Sequence, residues 1–509
     1  MHSLSTLLFE ARDDMCSDGA AEERQESEAR NGWLPIVASR TPAPRSPYSR
    51  WVKRSTAGTS TVGVRKSLRL RVWRSLASLG GRIRSDSLLR NSLFIMITTI
   101  INSVFGFVFW LLAARLFSAH IVGLTAALVS ASTIIVLLAS LGVCGMLIQS
   151  VSAQRNAEEF SLTFWAGTAT AVALSLTIVC ATIVVLPLIA RDLSALNGIA
   201  YAVLFLAGTV SMSVGTVLDS VFVAERTAGN MVIRNAVVAA SKLLIVVLLI
   251  LVAGASALDL LGAWAAASVV GLGFGALLLI RQVSVLRPSR PSALARRALG
   301  LRSRLAGNQL IGMGGALLPY VVPLLVTERL SPSDNAYFYT TWMMAGIFLV
   351  ISPAVSLSLF AEGVHSPHEL LGKARTALGV IGALLVPCLV GAFVMGGVIL
   401  SAFGPAYEHH GMGLLRIVLF ASIPDAITNV YVALLRVQGR LAVAAGLNMA
   451  MGIGILALSW VFLPRIGIIA VGWAFLVMQL CGCVFVVFDL LRSPIMTREA
   501  ETHGHLEPV

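Results

Sequence analysis

Long apolar runs constrain this chain more than any other feature of its 509 residues. A run of about 18 or more apolar residues can cross the hydrocarbon core of a bilayer as an α-helix. A membrane β-barrel would instead show alternating segments of about 10 residues. The sequence therefore predicts an all-α polytopic membrane protein with about 12 transmembrane helices, at 92–115, 120–149, 161–190, 198–223, 231–253, 257–280, 305–327, 336–361, 374–400, 411–435, 441–463 and 467–491.

The second half of the sequence restarts like the first. Ala-Arg-Leu-Phe-Ser at 114–118 closes the first predicted span, and Glu-Arg-Leu-Ser-Pro at 328–332 closes the seventh, 214 residues later. Segment 221–226 resembles segment 430–436 in the same way, near the ends of spans four and ten. Internal repeats of this kind are common in transporters, where the substrate site lies between the halves. Two six-helix lobes around a central cavity are therefore expected.

The net charge of +13 is explained by a membrane rather than by a nucleic acid partner. With the N-terminus inside, sixteen Lys and Arg residues, Arg234 among them, lie in or within a few residues of the predicted inner loops and C-terminal tail, and four lie in or beside the outer loops. Cytoplasmic loops of membrane proteins carry such an excess. Both termini are predicted to be cytoplasmic, and no nucleic acid binding is expected.

Composition outside the spans completes the predicted organisation. The acidic and Pro-rich N-terminus cannot bury a core, and the basic segment that follows has the helical apolar spacing of a helix lying on anionic lipids. A second basic segment separates the lobes, and Ser292–Arg304 within it could form a short surface helix. The predicted regions are a disordered cytoplasmic tail (1–63), a basic amphipathic juxtamembrane helix (64–87), the two lobes (88–280 and 305–491), the cytoplasmic linker between them (281–304) and a cytoplasmic C-tail (492–509).

Several short motifs suggest a family. The ending of the first span is followed by Gly123, and Phe-Gly-Pro-Ala-Tyr at 403–407 precedes span ten. A Leu-Arg-Val-Gln-Gly-Arg turn follows at 435–440, and a proline–glycine segment at 463–472 precedes the last span. Over residues 88–491 the chain resembles the O-antigen and polysaccharide flippases of the multidrug/oligosaccharidyl-lipid/polysaccharide exporter superfamily. The resemblance implies two lobes, alternating access and undecaprenyl-type lipid-linked sugars as cargo.

Ionisable side chains inside a membrane are costly and are functional candidates by default. Asp425 is predicted near the middle of span ten, where it could bind a coupling cation, exchange a proton or contact sugar hydroxyls. Asp219 on span four could face the same cavity from the opposite lobe. The structural alternatives are a bond from Asp425 to a neighbouring helix, and an ion pair of Asp219 with Arg226 or Lys242.

Four basic residues are candidate phosphate ligands. Arg115 and Arg329 end spans one and seven on the predicted outer side, and a guanidinium binds phosphate oxygens in bidentate fashion. The alternative is that each arginine reaches toward lipid headgroups. Arg416 in span ten could join the two arginines, and Lys242 in span five could receive a headgroup nearer the cytoplasm.

Span seven contains Pro319 and Pro323 together with three glycines at 312, 314 and 315, which would make the helix bendable. A bending span seven is a candidate gate, and the alternative is a static kink.

The sequence contains no P-loop, dinucleotide-binding, Ser-His-Asp or metal motif, so a transporter without a cofactor is expected rather than an enzyme. The leading hypothesis is a flippase for polyprenyl-pyrophosphate-linked sugars in the cytoplasmic membrane of a bacterium, coupled to protons, sodium or the membrane potential. Expected partners are anionic membrane lipids and polysaccharide-synthesis enzymes. The alternatives are a cation-coupled multidrug exporter of the same fold, and a non-transporting membrane scaffold of a cell-envelope pathway.

Overall fold

A computed structural model describes residues 87–151, 157–253, 256–282, 290–300, 305, 318–365 and 369–492. The predicted N-terminal tail and juxtamembrane helix lie outside these residues, as does the C-tail beyond Arg492. Helices are the only regular secondary structure among the described residues. Membrane helices satisfy all of their backbone polar groups internally, which explains this architecture.

Fourteen α-helices are described, together with a short 3₁₀ helix at Arg191–Asn197. They are α1 (Ser87–Leu116), α2 (Ala119–Val151), α3 (Ala157–Ile189), α4 (Ile199–Ala224), α5 (Ala228–Ala253), α6 (Ala257–Gln282), α7 (Pro291–Gly300), α8 (Leu318–Arg329), α9 (Pro332–Leu349), α10 (Ile351–His365), α11 (Leu370–Phe403), α12 (Pro405–Val437), α13 (Leu441–Ile466) and α14 (Ile469–Arg492). Eleven segments of the described chain are long and apolar enough to cross a membrane.

These eleven segments confirm the predicted polytopic fold, with differences at particular boundaries. Span ten was expected to start at 411 and begins at Pro405. Span eight is two helices, α9 and α10, which meet at Val350. Span seven is described at residue 305 and from Leu318 onward, so the three glycines of the candidate gate lie outside the described residues.

The two halves pack alike, as the sequence repeat predicts. Helix α4 packs on α6 in the first half, and α12 packs on α14 in the second. The contact between α2 and α4 corresponds to the contact of α9 and α10 with α12. The contact between α5 and α6 corresponds to that between α13 and α14. Contacts between the halves are made mainly by α2, which packs against α8 and α9.

The basic linker carries the short helix α7, which lies against α3. The Arg297 guanidinium pairs with Glu159 at 3.0 Å and donates to the Thr163 hydroxyl. The predicted surface helix, Ser292–Arg304, is therefore present at Pro291–Gly300, and residues 301–304 lie outside the described part.

A tightly packed apolar cluster joins the halves at the end of the bundle that contains Arg115. We name it the inter-half seal. Its buried members in the first half lie on α1, α2, α5 and α6 and in the α1–α2 turn, and those in the second half lie on α9, α11 and α12. They are Phe109, Trp110, Ala113, Phe117, Val122, Ala126, Val246, Leu260 and Ala263 against Ala336, Phe403 and Tyr407. Aromatic contacts cross the boundary, with the Trp110 and Tyr339 ring centroids 4.8 Å apart.

Backbone atoms of the two halves approach closely at Gly123. A Cβ at this position would overlap the carbonyl oxygen of Pro332, so the contact requires glycine. Asn335 donates a buried hydrogen bond of 2.8 Å to the Gly123 carbonyl. Arg115 extends across the same end and donates to the last carbonyls of α11, at Ala402 and Ser401. The Arg115 end of the bundle is therefore closed.

The 403–407 motif has a structural role in this closure. Gly404 adopts a φ of +145°, which L side chains rarely adopt, and Pro405 occupies the first turn of α12. The resulting sharp turn places the buried rings of Phe403 and Tyr407 in the inter-half seal.

Substituting Gly123 by Val should open the Arg115 end, because the added side chain cannot be accommodated against the Pro332 backbone. Spin labels at the exposed positions Ser118 and His409 report the separation of the halves by double electron–electron resonance. We expect a shift of the distance distribution to longer values. Gly346→Val on α9 is the control, since a Cβ there meets no atom within 4 Å. An unchanged distribution in Gly123→Val would contradict the proposed role of this contact.

Candidate functional site

A cavity of about 360 Å³ lies among α1, α4, α5 and α6 in the first half. Its wall combines polar and ionisable groups with apolar side chains. The polar members are Asn102, Ser211, Thr216, Asp219, Arg234, Asn235, Lys242 and Ser268. The predicted candidates Asp219 and Lys242 therefore lie in one cavity, and Asp425 is not among the residues that line it.

Asp219 forms a bidentate ion pair with Arg234. The Arg234 Nε donates to Asp219 Oδ1 at 2.8 Å, and Nη2 donates to Oδ2 at 2.5 Å. The expected structural alternative, a pair with Arg226 or Lys242, was wrong about the partner. Arg234 was counted among the loop cations, but it lies inside α5, six residues after the helix begins at Ala228. From that position its side chain can reach across to α4.

Glycines of two helices surround the Arg234 side chain. A Cβ at Gly215 on α4 would lie 2.7 Å from Arg234 Nη1, and a Cβ at Gly275 on α6 would lie 2.6 Å from its Cδ. The side chain therefore occupies space that alanines would fill, and it is 9% exposed against 21% for Asp219. This packing fixes the position of the guanidinium, and we name Gly215 and Gly275 the glycine cradle of Arg234.

Two amides and a lysine complete the polar wall. Asn235 Nδ2 donates to Asp219 Oδ2 at 3.0 Å, and Asn102 Nδ2 on α1 donates to Asn235 Oδ1 at 3.4 Å. The Lys242 ammonium lies 5.3 Å from the centre of the Phe109 ring. Among the described residues, no carboxylate lies within 4.0 Å of this ammonium, so the cavity carries one surplus positive charge.

Asp425 lies in a separate buried cluster in the second half. Its Oδ2 accepts from Ser352 Oγ at 2.6 Å, and its Oδ1 accepts from Gln479 Nε2 at 2.9 Å. Thr428 and Asn429 support these donors through bonds to Gln479 and Ser352. The carboxyl is 8% exposed and, within the described residues, has no cationic side chain at salt-bridge distance.

The two aspartates occupy different depths in their halves. Helices α4 and α12 end in the same turn, in which Thr227 N donates to Phe222 O and Arg440 N donates to Leu435 O. Asp219 precedes Phe222 by three residues, whereas Asp425 precedes Leu435 by ten. Seven residues of α-helix correspond to about 10 Å. Asp425 therefore lies about two helical turns further from its turn than Asp219 does, and no described residue of the second half is among those that line the cavity.

The remaining candidate cations engage different partners. Arg115 caps α11 as described above, whereas the Arg329 guanidinium stacks 4.3 Å from the centre of the Trp460 ring. Arg416 lies on an exposed face of α12, 5.7 Å from the Phe393 ring centre. None of these three residues lines the cavity in the first half.

Of the two prolines of the candidate gate, Pro323 lies inside α8 and is buried, while Pro319 lies at the start of this helix and is exposed. Helix α8 packs on α2 and α9.

The fold resembles those of several solved transporter structures. The inward-facing conformation of a multidrug resistance MATE family transporter of the MOP superfamily matches with a TM-score of 0.63 and 14% identity, over 80% of this chain and 98% of that one. The lipid II flippase MurJ, in an inward closed conformation, matches with a TM-score of 0.61 and 11% identity, over 78% and 87%. The chain has the fold of MOP superfamily transporters.

A third match is a MOP superfamily transporter from Pyrococcus furiosus, whose reversed pocket polarity is described as suggesting a different function. It has a TM-score of 0.53 and 14% identity over 80% of this chain and 95% of that one. Neither a protein-family model nor a curated protein matches the sequence.

Within this MOP-type fold, Arg234 is the site residue that sequence reasoning missed. Its adjacency to a span boundary made it resemble a loop cation, because positive charges concentrate there. The available signal was the combination of an arginine inside an apolar helix with glycines on two other spans. Which glycines face an arginine depends on how helices pack, so the sequence alone does not reveal the cradle.

Replacing Gly275 by Ala should destabilise the protein, because the new methyl group would crowd both Arg234 Cδ and a Leu218 methyl. We expect a loss of about 1–3 kcal/mol, as for other overpacked interiors, measured by thermal unfolding in detergent. Gly273→Ala on the same helix is the matched control, since a Cβ there meets nothing within 4 Å. Equal melting temperatures for the two variants would contradict the cradle.

Proposed function

We propose that this protein is a flippase that carries lipid-linked oligosaccharide precursors across the cytoplasmic membrane of a bacterium by alternating access. The observation that carries the proposal is the surplus positive charge of the polar cavity, in a fold shared with a lipid II flippase and with MATE transporters. An anionic pyrophosphate headgroup, attached to a sugar and a polyprenyl tail, fits the chemistry of this wall.

Electrostatics favour an anion over a cationic drug in this cavity. Two unit charges about 4 Å apart interact by about 4 kcal/mol at an effective dielectric constant near 20. Lys242 would therefore attract a phosphate by roughly this amount and repel a drug cation comparably. The Asp219 carboxylate is already neutralised by Arg234, so it does not offset Lys242. Amide groups such as Asn102 can bond sugar hydroxyls beside the phosphates.

The closed Arg115 end supports loading from the opposite side. With the orientation predicted from Lys and Arg distribution, that closed end faces away from the cytoplasm. The match to the inward-facing MATE conformation, at a TM-score of 0.63, exceeds the match to an outward-facing one, at 0.53. A headgroup would enter from the inner leaflet, and release would require Arg115 and the inter-half seal to separate.

A cation-coupled multidrug exporter is the second candidate, because Asp425 supplies the buried carboxyl that coupling to a cation would use. A buried carboxyl held by neutral donors could exchange protons or hold a coupling cation. The same group could equally couple a flippase, so this observation concerns the driving force more than the cargo.

The function can be tested in a deletion strain by measuring surface polysaccharide export and the amount of lipid-linked intermediate on each leaflet. We expect the intermediate to accumulate on the cytoplasmic leaflet. A normal leaflet distribution together with altered drug susceptibility would contradict the flippase and support the multidrug exporter.

Complementation with Lys242→Met should restore export to about a tenth of the wild-type level or less. A loss of about 1.4 kcal/mol of headgroup binding energy corresponds to a tenfold decrease. Lys242→Arg should retain most activity because the charge remains. Lys373→Met is the matched control, since Lys373 donates to the Glu362 carbonyl outside the cavity. Full export by Lys242→Met at normal abundance would remove Lys242 from the proposed site.

Asp425→Asn should reduce export without lowering protein abundance, because the amide keeps the volume of the carboxyl but cannot carry its charge. Export is compared with membrane abundance by immunoblot, and Ser422→Ala, one turn earlier on the same helix, serves as the control. Unchanged export in Asp425→Asn would exclude a coupling role for this group.

A further inference from the structure

The Arg234–Asp219 pair is built asymmetrically. The guanidinium is fixed by the glycine cradle, whereas no described residue packs on the Asp219 carboxylate in a comparable way, and this carboxylate is the more exposed partner. Both residues line the cavity. If one partner of the pair moves, it is the carboxylate, because the arginine side chain is confined between α4 and α6.

The geometry of the pair matches that of a phosphate site. A carboxylate that accepts two parallel hydrogen bonds from a guanidinium uses the same donor fork that binds a phosphate in bidentate fashion. Asp219 therefore occupies the position that a phosphate of a cavity ligand would take on Arg234. Buried ion pairs are weak contributors to stability compared with apolar packing, so stability alone does not account for this pair.

Displacement would leave the carboxylate with a hydrogen-bond donor. Asn235 Nδ2 donates to Asp219 Oδ2 independently of the arginine, and its own position is supported by bonds to the Met231 carbonyl and from Asn102. A displaced Asp219 thus keeps one protein donor and gains access to the open cavity. Lys242, on the same helix as Arg234, supplies a second positive charge for the incoming anion.

We propose that Asp219 is an internal counter-ion that occupies the Arg234 guanidinium in the empty cavity and is displaced from it by a phosphate group of the transported lipid. This inference rests on the proposed function and specifies how its anionic headgroup is recognised. The exchange keeps the buried arginine paired in both states, which avoids the cost of an unpaired buried charge. It also makes the site selective, since a ligand without a doubly accepting anionic group cannot replace the carboxylate.

The proposal predicts that substitutions of Asp219 and of Arg234 change the affinity for a phosphate ligand in opposite directions. Full-length protein in detergent is titrated with farnesyl diphosphate and with inorganic pyrophosphate by isothermal calorimetry at fixed salt. Asp219→Asn removes the competing anion, and we expect the affinity for both probes to rise on the order of tenfold, within the range of typical coupling energies. Arg234→Gln should lower the affinity by a similar factor. If both substitutions weaken binding, Asp219 is a structural support and the proposal fails.

Two further variants exclude non-specific effects of charge. Asp489→Asn changes the net charge as Asp219→Asn does and breaks the bidentate pair with Arg440 in the second half, outside the cavity. Its probe affinity should equal that of wild type, and an equal rise would overturn the proposal. In the Arg234→Gln background, Asp219→Asn should no longer strengthen binding. A rise that persists there would also overturn it.

A measurement on wild-type protein covers the case in which Asp219→Asn fails to fold. Labelling of Asp219 by a water-soluble carbodiimide, read by mass spectrometry, should increase severalfold when pyrophosphate is bound, because the carboxylate is released into the cavity. Unchanged or reduced labelling with bound probe would overturn the displacement.

The outcome is separable from that of the export experiment. Opposite effects of the two substitutions with a normal leaflet distribution in the deletion strain would retain the anion exchange and reject the lipid-linked oligosaccharide as cargo. Accumulation of the intermediate without opposite effects would retain the flippase and reject the counter-ion.

Discussion

The close approach of α2 and α9 at Gly123 is the contact on which the arrangement of the two halves depends. Backbone atoms meet backbone atoms there, so no change of a side-chain conformation could relieve the clash that a larger residue would cause. The Asn335 bond, the Arg115 cap on α11 and the inter-half seal all lie at the same end. This end is therefore closed, whereas the polar cavity lies among the helices of the first half.

Three different environments surround the ionisable side chains Asp219, Asp425 and Lys242 inside the membrane-spanning helices. Arg234 and Asp219 neutralise each other in a bidentate pair, whereas Asp425 is surrounded by neutral donors. Lys242 has neither arrangement and leaves its cavity positive. Because buried charges are costly without partners, these differences distinguish charges that are already paired from charges that lack a charged partner among the described residues. The surplus charge is thus the feature that most narrows the chemistry of a ligand that this cavity could bind.

The internal repeat gives the halves the same helix pairs but different chemistry. Equivalent turns end α4 and α12, and a residue with positive φ occupies each: Arg226 in the first half and Gly439 in the second. The sequence repeat aligns Arg226 with Arg436, whereas the structure aligns Arg226 with Gly439, three residues later. With the structural correspondence, the depths of the two aspartates differ by about two helical turns.

The sequence by itself determined the helical membrane fold, the span order and the duplication, because apolar length and repeated motifs are local properties of the chain. It also identified Asp219, Asp425 and Lys242 as ionisable groups within spans. Tertiary structure decided which of these share a cavity, since that depends on helix rotation and relative depth. It also revealed the glycine cradle and the partner of Asp219, because contacts between helices distant in sequence are set by how their surfaces pack.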